Sequence, residues 1–372
     1  MFYIENEKKA GDAMQENKAW QMELDEYIRQ GEPDRAEKSE AWKTAIGLQD
    51  VDGLKTSAYL LDTAKEHIEG NIDIATVQKR IESYYKHSSV RQNVEENTKE
   101  ADIVSARITA VLGEKTFQFS PAALKEIHKR LFTGVFAHAG QFRDYNITKS
   151  EWILKGHTVL YASADSVQAA LDYDFQTEKA FDYAGLSAQE AVRHIVRFAA
   201  DIWQIHPFCE GNTRTTAVFI IKYLKTFGFS VGNDTFAENS WYFRNALVRA
   251  NYNDVKNGVT ATTKYLELFF ENLLFGKNNV LKNRYLHIDF QSDIQSDKKS
   301  ISDRSDVTLD EFAILKAVYD DPSITQKDLA AQIGVSDRTV KRKMKALQEK
   351  GALERVNGKR NGRWRVLIDM QL

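Results

Sequence analysis

The sequence predicts a mainly α-helical chain of more than one domain. Three observations carry this. Only four prolines occur among 372 residues, so long segments are free to be helical. Apolar residues in those segments recur at spacings of three and four rather than two. The length itself suits two or three domains.

The elements follow in order. Residues 1–40 are highly charged and end in Gly31-Glu32-Pro33, which reads as a breaker, so they are expected to be a loosely attached extension. Residues 41–98 read as short helices punctuated by Gly53 and Gly70 and closed by Tyr84-Tyr85, with a regulatory role as one candidate. Residues 99–276 carry the longest dense apolar periodicity and read as the large folded domain. Residues 277–306 turn to Ser, Asp, Gln and Lys, a composition that buries little surface, and read as a linker. Residues 307–372 resume helical patterning and end in two strands.

Two helices in the large domain are strongly signalled. Ser187 and Glu190 form a capping box. Val192, Ile195, Val196, Ala199, Ile202 and Trp203 then fall on one face, and the pattern stops at Pro207. A second helix starts just after Asn212, carries Ala217, Val218, Ile220, Ile221 and Leu224, and ends at Gly228. It is apolar nearly all round, so it is expected to be central and buried.

The loop between them is His206-Pro207-Phe208-Cys209-Glu210-Gly211-Asn212-Thr213-Arg214. Gly211 and Asn212 can take left-handed backbone angles, which aims successive N–H groups at an anion beside the positive end of the next helix. Arg214 sits in that helix's first turn, an unfavourable place for a cation unless an anion binds there. Glu210 is a hard oxygen ligand suited to Mg²⁺ on phosphates. His206, at the end of the preceding helix, can act as a general base. Phe208 is expected to point inward and pin the loop. Each residue also has a plain structural reading: a helix-terminal histidine, a surface Glu–Arg pair, a Gly-Asn turn. Their conjunction within nine residues favours chemistry.

This loop resembles the signature of Fic-domain proteins, H-x-F-x-[DE]-G-N-x-R-x-x-R. Ala139-Gly140-Gln141-Phe142-Arg143 with Asn146-Ile147 resembles the family's region upstream of its target-binding flap. Asn239 to Leu247 resembles its nucleoside-side helix, and the likeness covers about residues 100–275. The resemblance implies a Fic-type helical core with a small β-hairpin flap. It also implies a nucleotidyltransferase that moves AMP from Mg-ATP to a Ser, Thr or Tyr hydroxyl of a target protein, the chain itself being one candidate target. His206 would take the hydroxyl proton and Glu210 would hold Mg²⁺. Gly211, Asn212, Thr213 and Arg214 would bind the phosphates, and Tyr242 and Asn245 would lie on the nucleoside side.

Trp152 to Tyr161 reads as the β-hairpin flap, with Lys155-Gly156 at its tip. The resemblance implies that Ile153, Leu154, Lys155 and Gly156 pair with the target backbone. An ordinary surface hairpin is the alternative. The sequence departs from the family pattern twice: Thr213 stands where glycine is frequent, and Ala217 replaces the second arginine, which in the family contacts the γ-phosphate. Relatives that transfer UMP, phosphocholine or phosphate keep the transferred group open. The family's inhibitory [ST]-x-x-x-E-[GN] pattern has no strict match; the nearest stretch is Leu48 to Gly53, with Asp52 for the glutamate.

The C-terminal segment resembles a winged helix-turn-helix domain: a helix from Thr308, a second before Gly334, a third capped by Ser336, then a wing across Asn357-Gly358 to Gly362. From Ser323 onward Lys and Arg outnumber Asp and Glu by twelve to five. Arg338, Lys341, Arg342, Lys345, Lys359 and Arg360 are the candidate duplex-DNA contacts. A protein-contact or dimerisation role is the alternative, and a homodimer is the candidate assembly.

Bulk composition adds exclusions. Fifty-one basic and 53 acidic residues nearly cancel, so net charge names no partner. Cys209 is the single cysteine, which rules out an intrachain disulfide and fits a reducing cytoplasm. No secretory h-region opens the chain, and no run approaches the ~18 apolar residues of a membrane span. The expected function is protein adenylyl transfer in the cytoplasm. The alternative is a DNA-binding regulator whose Fic-like domain only senses nucleotide.

Overall fold

The computed structural model describes residues 33–87, 95–229, 231, 234–290, 307–356 and 362–367. It is mostly helical. Among these residues the one sheet is a two-stranded antiparallel pair near the C-terminal end. The chain divides into two compact units: residues 1–116, 129–139 and 232–240, and residues 117–128, 140–231 and 241–372.

The first unit is built on α1 (Pro33–Gly47), α2 (Ala58–Ile68), α3 (Ile74–His87) and α4 (Glu95–Gly113). Proline opens α1 rather than breaking it, because a first-turn residue needs no N–H and its φ is already helical. Ser39 is fully buried, so the extension expected over residues 1–40 gives way to a packed helix before its end; residues 1–32 lie outside the described residues. The core gathers Trp42, Leu60, Ala64, Ile68, Val77, Ile81, Ile103 and Ala106. Trp42 Nε1 donates to His67 Nδ1 at 3.0 Å, and burial lowers the pKa of His67, which keeps the ring a neutral acceptor. Gly47 meets the backbone of Ala237 so closely that a Cβ would stand 2.3 Å from its Cα. A 3₁₀ turn, Leu48–Asp52, leads to Gly53 at φ 70°, and Asp52 is exposed.

The second unit is arranged around α7 (Ala188–Ile205) and α8 (Asn212–Thr226), with α6 (Val167–Ala180) and α10 (Lys264–Phe275); α5 (Pro121–Phe132) and α9 (Thr235–Ala250) each have residues in both units. The Ser187–Glu190 capping box forms as the sequence predicts, a feature that contributes ~1 kcal/mol. Every residue from Asn212 to Leu224 is buried, as expected for a helix apolar all round. Phe119 and Phe175 pack with Phe198, Phe219 and Tyr223 to join α6, α7 and α8. Glu178, 3% exposed, accepts hydrogen bonds from Tyr183 and Tyr223 and pairs with His194, so its charge is compensated inside this layer.

The C-terminal part belongs to the same unit. Thr308 caps α11 (Leu309–Asp320) in a second capping box. Thr325 caps α12 (Gln326–Ile333), Gly334 turns the chain at φ 69°, and Ser336 caps α13 (Asp337–Glu349). Strands β1 (Leu353–Val356) and β2 (Arg363–Val366) pair antiparallel, with Leu353 opposite Val366. This is a helix-turn-helix followed by a wing; the wing tip, including Lys359 and Arg360, lies outside the described residues. It is not a detached appendage. Phe312 is fully buried, with Phe275 4.9 Å and Phe229 6.3 Å away, and Ala188 N–H donates to the Val307 carbonyl at 3.2 Å.

Candidate active site at the α7–α8 junction

Helix α7 ends at Ile205, and His206 turns into the left-handed region at φ 50°, ψ 60°. A non-glycine residue there is strained and needs support from its surroundings. Arg143 supplies it. Its guanidinium, 3% exposed, donates to the carbonyls of His206 (2.8 Å), Ile205 (3.2 Å), Tyr145 (2.9 Å) and Ala162, while its own N–H donates to the Pro207 carbonyl at 2.9 Å.

The His206 ring is oriented as tightly as its backbone. Nδ1 lies 3.3 Å from the Trp203 carbonyl, which only accepts, so Nδ1 carries the proton and Nε2 carries the lone pair. Nε2 is buried and has no hydrogen-bond partner among the described residues. The ring centroids of Tyr161 and Trp203 lie 4.4 and 5.2 Å from that of the imidazole. Burial first, then the charges of Lys149, Arg244 and Arg143, lower the pKa of His206 well below the usual imidazole value. Behind Tyr161, Arg244 grips Glu151 with two bonds of 2.7 and 3.1 Å, and Glu151 is 1% exposed.

The loop's shape comes from Phe208, Asn212 and His128. Phe208, 1% exposed, stacks flat on His128 at 3.7 Å. His128 Nδ1 accepts the Gly140 N–H at 2.9 Å, which leaves Nε2–H to donate to the Glu210 carbonyl at 3.1 Å. Asn212 closes the loop reciprocally: its Oδ1 accepts from Phe208 N–H (2.9 Å) and its Nδ2 donates to the Phe208 carbonyl (2.7 Å). Gly211 takes φ 72° as the N-cap of α8. The first N–H groups of that helix have no intrahelical acceptor and carry its positive end. Thr213 Oγ1 accepts from Trp203 Nε1 at 3.0 Å, so its side chain ties α8 to α7. Arg214 is 2% exposed and lies in the same turn. Ala217, one turn further on, is fully buried.

Glu210 reaches outward, its side chain 58% exposed, with Lys149 Nζ 3.5 Å from its Oε2. No group of three or more His, Cys, Asp or Glu side chains among the described residues forms a protein-only metal cage. A single outward carboxylate beside a helix N-terminus does fit a Mg²⁺ ion whose remaining ligands are phosphate oxygens and water.

The expected flap is different in form. Lys155 and Gly156 both take positive φ, 55° and 85°, as a hairpin tip requires, and His157 N–H donates to the Leu154 carbonyl at 3.0 Å. The strands are absent: Trp152–Leu154 is a 3₁₀ turn, and Ile153 and Leu154 are both fully buried. In a flap with one face in solvent, consecutive strand residues would alternate between buried and exposed, which Ile153 and Leu154 do not. Tyr242 and Asn245 lie on α9, 2% and 1% exposed. The Tyr242 hydroxyl donates to the Tyr265 carbonyl (3.2 Å) and the Asn245 amide to Asn283 Oδ1 (2.7 Å). Arg143, His128 and Lys149 are site residues that the sequence reading missed. Arg143 stood in the run that resembles the family; nothing local marks the other two.

Residues 118–224 match the Fic/DOC family. The chain carries a Fic/DOC domain. Residues 311–354 match the family described as winged helix-turn-helix DNA-binding. The chain is similar to the protein adenylyltransferase VbhT of Bartonella schoenbuchensis, at 28% identity over 111 residues, 30% of this chain and 22% of that protein. The chain thus matches about a fifth of the length of that relative. A solved structure of the N-terminal Fic domain of Bep8 from Bartonella sp. 1-1C is 21% identical, covers 51% of this chain and 93% of its own, and gives a TM-score of 0.37. Among the described residues, no helix is long and apolar enough to cross a membrane.

In the winged helix-turn-helix, Arg338, Lys341, Arg342 and Lys345 are all exposed on α13 at helical spacing. Val340, Met344 and Leu347 face the core from the same helix. Lys345 is shared with Glu349 at 3.5 Å, and Lys343 is tied to Asp310 at 2.7 Å.

Proposed function

We propose that the chain is a protein adenylyltransferase. The observation that carries this reading is the His206 imidazole: its Nδ1 proton is committed to Trp203, its Nε2 is buried without a hydrogen-bond partner among the described residues, and six residues further along the chain a helix N-terminus begins at Asn212. The target hydroxyl oxygen attacks the α-phosphorus of ATP, the bond to the β-phosphate oxygen breaks, and pyrophosphate leaves. The hydroxyl proton passes to Nε2. Gly211, Asn212, Thr213 and Arg214 bind the phosphates through the start of α8, with the side chains of Asn212 and Thr213 shaping the turn rather than touching ligand. Mg²⁺, when bound at Glu210, neutralises phosphate charge. The turn 152–156 docks the target, and Tyr242 and Asn245 support the nucleoside side from within α9. Catalysis is positioning and charge placement, which a preorganised loop of this kind supplies. Incubation with labelled ATP and Mg²⁺, read by intact mass on the chain and on a lysate, tests the reading; His206→Ala should abolish the transfer.

The cationic stripe Arg338, Lys341, Arg342 and Lys345 on an exposed second helix supports duplex-DNA binding by the same chain. A regulator that only senses nucleotide would bind DNA and ATP without modifying any protein.

A further inference from the structure

A later segment of the chain packs along the turn 152–156, which the proposed function assigns to target docking. The 3₁₀ turn Asn283–Leu286 and the residues after it run along it, anchored by Leu286, which is fully buried. Ile288 N–H donates to the Ile153 carbonyl at 3.0 Å. Asp289 pairs with Lys155 at 2.5 Å, both side chains about half exposed. His287 meets Trp152 edge-on at 5.5 Å, and Trp152 is 57% exposed, unusual for so large an apolar ring. The same segment reaches the α9 side of the domain, where Asn283 Oδ1 accepts from the Asn245 amide at 2.7 Å.

We propose that Asn283–Asp289 is an in-cis occupant of the docking turn, and that a target segment must displace it. Resting on the transferase reading, this also names what such a segment carries: an extended backbone with an N–H for the Ile153 carbonyl, a carboxylate for Lys155, and an aromatic or apolar side chain for Trp152. The two halves of the occupant differ in strength. Leu286 is a buried anchor, while residues 287–289 hold by one backbone bond, one exposed ion pair and one ring edge, contacts that water and salt weaken. A segment tethered in this way competes by effective concentration, so modest contacts suffice to exclude a dilute target.

The test uses the full chain with Asp289→Lys, an exposed position that leaves packing intact, and with Ile288→Pro added to remove the donor. The probe is a fluorescent synthetic peptide of residues 282–290, with an Asp289→Lys peptide as control. The vacated variants should capture the native peptide at least tenfold more tightly than wild type, and the control peptide should lose that gain. Labelling of lysate proteins with ATP and Mg²⁺ should rise several-fold in the variants and fall back on adding peptide. Equal peptide capture by wild type and variants, or no capture by either, overturns the occupant while leaving any His206-dependent labelling intact. Capture without labelling by any of these proteins supports the occupant and removes the transferase reading.

Discussion

Arg143 Nε donates to the backbone carbonyl of His206 at 2.8 Å, and the same guanidinium reaches the carbonyl of Ile205. One buried cation thus holds the last residue of α7 and the left-handed residue after it. The His206 imidazole, the proposed base, owes its position to this grip rather than to its own side-chain contacts alone.

Arg143→Lys should therefore lower kcat by roughly 10–100-fold with KM for nucleotide within a few-fold, since a lysine cannot reach several carbonyls at once. Arg143→Ala should also cost about 2–5 kcal/mol of stability, as the carbonyls it serves lose their donors in the interior. Steady-state kinetics and thermal melts check this. Equal loss of kcat and nucleotide affinity would place the role elsewhere.

The acid side of the pH profile follows from His206. The base works unprotonated, and burial lowers its pKa well below 6.5. Transfer should stay flat as pH falls through 6.5 and decline only below it. Stability runs the other way: the unfolded imidazole gains its proton near 6.5 while the folded one does not, so this group destabilises the fold increasingly as pH drops from 6.5 to its folded pKa. His206→Ala should abolish transfer and remove that acid-side loss. A single-turnover rate that halves near pH 6.5 in wild type would contradict the assignment.

At position 217 a buried alanine occupies the site where the family signature has its second arginine. On the adenylyltransferase reading a charged contact to the γ-phosphate, worth about 1.5–3 kcal/mol, is absent here, and ATP and ADP should bind with similar affinity. Calorimetric titration with each nucleotide decides it, and a preference for ATP well beyond tenfold would mean that another cation, Lys149 first, reads the γ-phosphate. Asp52→Gly should leave activity within a few-fold, because no arginine at 217 waits for a carboxylate.

DNA binding should be tested on the whole chain. Phe312 is buried against aromatic residues outside the winged helix-turn-helix, and a fragment cut at residue 307 would expose it. Affinity for duplex DNA should fall steeply with salt, and reversing charge at Arg338 and Lys341 together should weaken it at least tenfold in low salt. No binding of the intact chain to any duplex at low salt would favour a protein-contact role.

The helices around the site were legible because their signals are local. A capping box starts α7, proline ends it, and an apolar surface all round marks α8 as buried. The loop chemistry was legible because its residues are contiguous. Arg143 and His128 were not, since each acts across more than 60 residues of chain on backbone carbonyls that sequence does not display. The flap was half legible: Lys155-Gly156 marks the turn, but only the fold reveals that Ile153 and Leu154 are both buried. The extension expected at residues 1–40 misread Pro33, whose meaning depends on whether a helix begins or ends there.

In the proposed reaction His206 Nε2 removes a proton from a protein hydroxyl during nucleotidyl transfer. The most direct measurement is intact-mass analysis of wild type and His206→Ala, each incubated with ATP, Mg²⁺ and lysate. Wild type should add one AMP per modified protein and the variant none, while both bind ATP with affinities within a few-fold. Equal modification by the two proteins, or none by wild type despite tight Mg-ATP binding, would contradict the proposed reaction.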